Sequence, residues 1–386
     1  MKSVLVVGAG KVGQGVAALL ARGPAGRGAG YRVTLADRDG AALRALQTGN
    51  PEFDTLCLDA QDASALQAAL AGRFAVLNAA PFRLALCIAE AARANGVHYL
   101  DLTEDVASTR HIRELAHGAG SAFIPQCGLA PGFISIVAAD LARGFEQLDS
   151  VRMRVGALPA YPSNALNYNL TWSTDGVINE YIEPCEAILD GRRRELPALE
   201  ELEEFSLDGV RYEAFNTSGG LGTLCETLDG RVRTLNYRSI RYPGHAAIMK
   251  ALLNDLRLRD RRELLKDILE QALPATMQDV VIIFVTVCGQ RGGQLVQDSF
   301  VRKIYPQVLA GQMRSAIQIT TASSLCALLD LLADGKLPQR GFVRQEDVAL
   351  DDFLGNRFGQ VYDRPSLVQT AESARLRPTS SDVCAR

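Results

Sequence analysis

The sequence predicts an α/β fold in which a doubly wound, parallel-sheet Rossmann domain precedes a second, mixed α/β domain. Three observations carry that expectation. The chain opens on an apolar run that ends in "GAGKVG" and continues as an Ala/Leu-rich helix. Residues 1–127 then alternate short β-branched stretches with Ala/Leu-rich ones, the signature of repeated β-α units. Beyond "GLAPGF" (128–133) the apolar stretches lengthen and are parted by Pro- and Gly-rich turns, which marks a new domain.

Taken in order, "SVLVVG", "YRVTLAD", "DTLCLDA", "AVLNAA", "VHYLDLT" and "SAFIPQ" read as six strands of one parallel sheet. Between the first helix and the second strand, "RGPAGRGAG" (22–30) reads as a flexible surface loop. "SVRMRVGALP", "NALNYNLTWST", "VRTLNYRSIRY" and "DVVIIFVTVCG" read as strands of the second domain, over 128–312. The apolar helix "SAIQITTASSLCALLDLLADG" (315–335) must cover a large surface, so the segment 313–363 is expected to return to the Rossmann domain. Residues 364–386 are polar without an apolar period and read as a frayed tail.

A chain of 386 residues, 47% of them hydrophobic, can bury a large core. Its net charge of −3 is spread along the sequence, which leaves no basic stripe for nucleic acid or an anionic membrane. The N-terminal apolar run is too short for a signal peptide, and "VVIIFVTVC" (280–288) falls well under the ~20 residues of a membrane span, so a cytoplasmic location is expected. Eight cysteines show no C-x-x-C pair and no zinc-like spacing, so they read as reduced thiols and no metal site is expected.

The first glycine loop carries the cofactor expectation. Gly8 allows the tight turn and Gly10 lets backbone amides, among them those of Lys11 and Val12, approach a pyrophosphate; Gly13 lets helix and strand pack closely. Asp37 closes the second strand, 24 residues beyond Gly13, where its carboxylate suits ribose hydroxyls and repels a 2′-phosphate. NAD is therefore expected, with the adjacent Arg38 keeping NADP open. Ligands of open α/β sheets lie beyond the carboxyl ends of the strands, which adds Asp59, Ala60, Asn78, Ala79, Ala80 and Leu102 to the candidate cofactor contacts.

The second glycine loop, "NTSGGLGTL" (216–224), lacks the Lys-Ser/Thr ending of a P-loop. Thr217 and Ser218 make it either a substrate loop that cradles a carboxylate or a tight turn between strands.

Together, "GAGKVG", "GLAPGF", "LTWSTDG", "NTSGGLGTL" and "IRYPGHA" resemble the saccharopine dehydrogenase-like family over roughly residues 1–250. The resemblance implies a Rossmann domain facing a mixed α/β domain that binds substrate and forms a homodimer, and it implies NAD(P)-linked oxidation at a carbon bearing an amine. Within the family the match is nearest to the members that oxidise the ε-amine of L-lysine and release ammonia. Ala130 stands where the saccharopine-reducing members usually carry Asp, which argues for a simple amine.

That chemistry needs the ammonium deprotonated, since only about one lysine ε-amine in a thousand is neutral at pH 7. Asp101, at the fifth strand end, and His245, in "RYPGH", are the candidate proton acceptors. Glu104 reads either as a substrate contact or as part of a helix N-terminal cap. Arg241 and Tyr242 are candidates for the substrate carboxylate, although strand alternation lets only one of them face the pocket. Trp172 is a candidate pocket wall or a core aromatic. Two other readings stay open: imine reduction, as in saccharopine or carboxynorspermidine synthesis, and a non-catalytic NAD-sensing regulator.

Overall fold

The computed structural model describes residues 1–25, 30–49 and 52–363, so the centre of the 22–30 loop and the 364–386 tail lie outside the described residues. Strands β1 (Lys2–Val7), β2 (Tyr31–Asp37), β3 (Asp54–Cys57), β4 (Ala75–Asn78), β5 (His98–Asp101) and β6 (Ala122–Ile124) form a parallel sheet in the order 6-5-4-1-2-3. Helices α1 (Lys11–Arg22), α2 (Gly40–Gly49), α3 (Ala63–Leu70), α4 (Ala85–Asn95) and α5 (Val106–Ala116) make the crossovers. β1 is buried on both faces, which is why it reads as continuous Val and Leu. Chain direction away from β1 reverses between β2 and β4, and the crevice that opens there is where such sheets hold ligands.

After α6 (Phe133–Arg143) the chain enters an eight-stranded mixed sheet. Its main path is β10 (Glu203–Leu207), β11 (Val210–Asn216), β12 (Val232–Arg241), β7 (Gln147–Pro159), β13 (Asp279–Arg291) and β14 (Gln294–Ile304). The hairpin of β8 (Cys185–Leu189) and β9 (Arg192–Leu196) pairs onto β12. Helices α7 (Thr174–Ile182), α9 (His245–Lys250) and α10 (Arg262–Ala272) share one apolar cluster, while α8 (Leu224–Thr227) lies against β8. Residues 164–173, expected within a strand, form turns and irregular backbone instead, with Leu170 in a single bridge to Ala275, because their apolar side chains pack into that helical cluster. A small ribbon of β15 (Gln307–Leu309) and β16 (Gln312–Arg314) leads into α11 (Ala316–Ala333).

α11 is long and apolar enough to cross a membrane by length and composition alone, yet 83% of it is buried in this fold. It lies along α1, where Gly15 gives the Ala322 methyl room and the Cys326 thiol reaches the Val16 carbonyl. β17 (Gly341–Phe342) then pairs in parallel with β6 as a seventh strand of the first sheet, before α12 (Leu350–Gly355). One apolar cluster runs from β1, α1 and α11 through α6 to Val151, Met153, Val285 and Val287 on the inner face of the second sheet. The two sheets thus share a core along one side and part on the other to leave a cleft.

Candidate active site

The cleft is a cavity of about 910 Å³ between the carboxyl ends of β1, β4 and β5 and the second sheet with α7 and α10. Gly10, Lys11, Val12, Asn78, Ala79, Ala80 and Leu102 line its Rossmann side. Gly8 has φ +104°, and a Cβ there would stand 2.7 Å from the Ala79 carbonyl. A Cβ on Gly13 would stand 1.8 Å from the Gly8 carbonyl oxygen, so both positions admit only glycine. Gly10 meets nothing within 4 Å and begins α1 without a side-chain cap, which leaves first-turn N–H groups facing the cleft. This cradle fits a dinucleotide pyrophosphate.

Asp37 supports the same loop. Its Oδ2 accepts the Ala9 N–H at 2.7 Å and its Oδ1 the Asp39 N–H at 3.0 Å; the spare lone pairs remain for ribose hydroxyls. Arg38 and Asp59 are exposed beyond the cavity lining, and Asp59 caps the turn that follows it through the Gln61 N–H. Ala60 is buried, so its side chain is closed to a ligand. Asn78 is fixed by Tyr99 and by the Ala80 N–H, which shapes the β4 end.

The far end of the cavity gathers ionisable side chains. Glu104 approaches from the β5 end and Glu180 from α7; Arg241 comes from the end of β12. Glu180 is 6% exposed and its carboxylate makes no hydrogen bond among the described residues. Burial pushes it up to about 8, with the Glu104 charge adding to the rise and Arg241 opposing it. Glu104 is pushed up to about 7, chiefly by burial and further by Asp105 and Asp101. Two carboxyls in one cleft therefore share a pressure toward the neutral form.

Arg241 is 3% exposed, between the Tyr168 and Tyr181 rings. Its Nε donates to the Tyr181 hydroxyl at 2.8 Å and its Nη1 to the Ile240 carbonyl at 2.8 Å. Among the described residues no bond holds its Nη2, so one edge of the guanidinium is open toward the cavity it lines. Trp172 lines the wall, its ring lying where a Cβ on Gly176 would be.

Several sequence expectations are corrected. Asp101 does not reach the cavity: its carboxylate accepts the Tyr99 hydroxyl and the Thr103 and Gln126 N–H groups, which ties β5 to β6. His245, 1% exposed, also stays outside. Its Nδ1–H donates to the Leu166 carbonyl, so Nε2 accepts the Tyr181 hydroxyl. Burial, with Arg241 nearby, lowers its value to about 3, and it stays neutral. Thr217 bonds Ser239 and Ser218 bonds the Pro184 carbonyl, so neither hydroxyl cradles a ligand. Tyr242 turns to the opposite face of β12 from Arg241 and donates to the Pro159 carbonyl.

The residue that sequence reasoning missed is Glu180. Its signal was a lone acid on the buried stripe of "TDGVINEYI", beside Val177, Ile178 and Tyr181.

A glycine cradle at the switch point of a Rossmann sheet, opposite a pocket with ionisable walls, places the chain among the NAD(P)-binding Rossmann proteins. Residues 4–123 match the family model of the saccharopine dehydrogenase NADP binding domain, and residues 128–358 that of the saccharopine dehydrogenase C-terminal domain. The chain belongs to the saccharopine dehydrogenase family. It is 25% identical over 184 residues to the NADP⁺, L-glutamate-forming saccharopine dehydrogenase of Schizosaccharomyces pombe, a stretch that spans 46% of this chain and 40% of that relative. The fold is similar to that of the apo L-Glu-forming saccharopine dehydrogenase from Saccharomyces cerevisiae, with a TM-score of 0.74 and 17% identity over 94% of this chain and 96% of the other.

Proposed function

We propose that the protein oxidises the ε-amine of L-lysine, a lysine 6-dehydrogenase activity that releases ammonia and leaves a semialdehyde able to close to a cyclic imine. The observation that carries this reading is the charge inventory of the substrate end. Lys266 is engaged by Asp175, Arg262 by Glu183 and Asn179, and Arg83 is exposed to solvent just beyond β4, which leaves Arg241 as the buried guanidinium with an open edge among the described residues there. Glu263 and Glu270 of α10 also line the cavity but are exposed to solvent, so the buried and half-buried acids that stand against Arg241 are Glu180 and Glu104. One cation and two acids complement one carboxylate and two amines, which is lysine; saccharopine brings three carboxylates.

In this reading Arg241 holds the α-carboxylate through Nη2, and Glu104 and Glu180 receive the ammonium groups. The nicotinamide, when bound, supplies the hydride acceptor. Glu180, ionising near 8, takes the proton that the ε-ammonium must lose before hydride can leave the adjacent carbon. Trp172, with Leu170 and Ile178, walls the pocket with apolar surface and keeps water from the transfer.

The second reading, turnover of a secondary amine such as saccharopine, is favoured by the name of the Schizosaccharomyces pombe relative. Purified protein mixed with NAD or NADP and L-lysine, ornithine, saccharopine or polyamines, followed by reduced-cofactor absorbance and ammonia release, tests both. Turnover with L-lysine and ammonia in equal amounts supports the first reading. Turnover with saccharopine and no ammonia replaces it with the second.

A further inference from the structure

The second glycine loop lines none of the cavity, yet it touches several residues that do. The Ser218 N–H donates to the Glu180 carbonyl at 3.0 Å, and the Ser218 hydroxyl donates to the Pro184 carbonyl just beyond α7. Gly219, at φ +85°, lies against Glu104: a Cβ there would stand 2.7 Å from the Glu104 carbonyl oxygen and 3.3 Å from its Cβ. A Cβ on Gly220 would stand 2.2 Å from the Tyr237 ring, another cavity wall. Further along, Gly222 abuts the Gln126 side chain, and Thr223 and Thr227 donate to the Glu346 carboxylate on the strap that follows β17. The loop is thus fastened to the Rossmann domain at β5, β6 and the strap, and to the second domain at α7 and β12.

From this we infer that Ser218–Gly220 is a positioning clasp that sets the spacing of Glu104 and Glu180 across the two domains, and so the amines the site accepts. The absence of side chains at 219 and 220 is what lets one strand-to-helix turn press on both walls. A bulkier residue at 219 must push Glu104 away, because the atom it meets is backbone. The groups that face the pair are known from every side: Asp101 and Asp105 from β5 and the N-terminus of α5, and Tyr181 with Tyr168 from α7 and the loop before it. Arg241 and Tyr237 face it from β12. Moving Glu104 relative to this fixed surround lets water in and weakens the mutual repulsion of the pair.

The meaning of the clasp for substrate rests on the amine-holding role of Glu104 and Glu180, so its test reads the carboxyls directly. In the full-length protein, the infrared bands of protonated carboxyls are titrated and assigned by their loss in Glu104→Gln and Glu180→Gln. Gly219→Ala is expected to lower the midpoint of at least one band by about half a pH unit or more, and to raise the KM for L-lysine about tenfold, with dinucleotide affinity unchanged. Gly230→Ala is the control, since Gly230 has φ +68° and open space where its Cβ would be, and so carries the same backbone cost away from the site. If Gly219→Ala and Gly230→Ala titrate alike, the clasp is overturned. Bands missing from the wild-type protein overturn it too. A shifted titration in a protein that never turns over L-lysine keeps the clasp and rejects the proposed substrate. Should Gly219→Ala fail to fold, Ser218→Ala frees the loop from Pro184 without added volume, and a titration equal to wild type then overturns the proposal.

Discussion

The Tyr181 hydroxyl lies 3.0 Å from His245 Nε2 and hands that imidazole its proton as a hydrogen bond, while accepting from Arg241 Nε–H at 2.8 Å. The polarity of this chain is fixed at its far end, because the Leu166 carbonyl can only accept from Nδ1–H. A buried histidine thus orients a buried guanidinium without meeting the substrate. Tyr181→Phe removes the middle member and leaves the Arg241 guanidinium hydrogen-bonded at Nη1 alone, to the Ile240 carbonyl. The expected result is a KM for the carboxylate-bearing substrate raised about tenfold, with kcat lowered far less. Steady-state kinetics with L-lysine and with a diamine lacking the carboxylate check this: the diamine is expected to be unaffected.

His245 also makes a prediction about stability. Its folded value of about 3 lies below the ordinary 6.5, so the unfolded chain binds the proton more readily between those limits. Its contribution is complete above 6.5 and is lost as pH falls through that window. Thermal melts of wild type and His245→Gln are expected to converge as the buffer is acidified from about pH 7 to about pH 4.

Glu180 gives the opposite sign. Its folded value of about 8 lies above the ordinary 4.5, so the folded state holds the proton and loses stability as pH rises between the two. Glu180→Gln is expected to melt higher than wild type at about pH 9, with the gap closing toward about pH 5. The same variant is expected to lose about a hundredfold or more in kcat/KM, together with the alkaline rise that ionisation of Glu180 gives wild type. A variant with an unaltered pH–rate profile would remove Glu180 from the proton path.

Asp37 is placed to choose between cofactors, and it also braces the glycine loop through the Ala9 N–H. Asp37→Ser is expected to weaken NAD binding about tenfold and to raise the affinity for NADP relative to NAD. Gly13→Ala is harsher, since its Cβ would fall 1.8 Å from the Gly8 oxygen. Loss of dinucleotide binding by about a hundredfold or more, read by calorimetry, is the expected outcome.

The Rossmann half was legible because its signals are local. A strand, a glycine loop and a helix follow one another in the chain, and the strand-end rule placed Asn78, Ala79, Ala80 and Leu102 on the cleft. The same rule brought Asp101 to the right strand end and failed on its direction, because the carboxylate is consumed in joining β5 to β6. Alternation along β12 separated Arg241 from Tyr242. Glu180 and the second glycine loop escaped for a shared reason: what they do depends on neighbours in the other domain, such as Glu104, which lies 115 positions before Gly219 in the chain. Spacing within one segment carries no record of such a meeting.

The apolar cluster common to both sheets has a consequence for taking the protein apart. Severed between 127 and 128, the N-terminal piece would lose the α11 side chains that cover α1, and the C-terminal piece would keep α11 on β13 with the face that meets α1 uncovered. Neither fragment would persist alone, yet their surfaces are mutually complementary. Produced together from separate messages, the two are expected to reassemble into one particle, and its return of cofactor binding would make a reporter of association between any two proteins fused to the pieces.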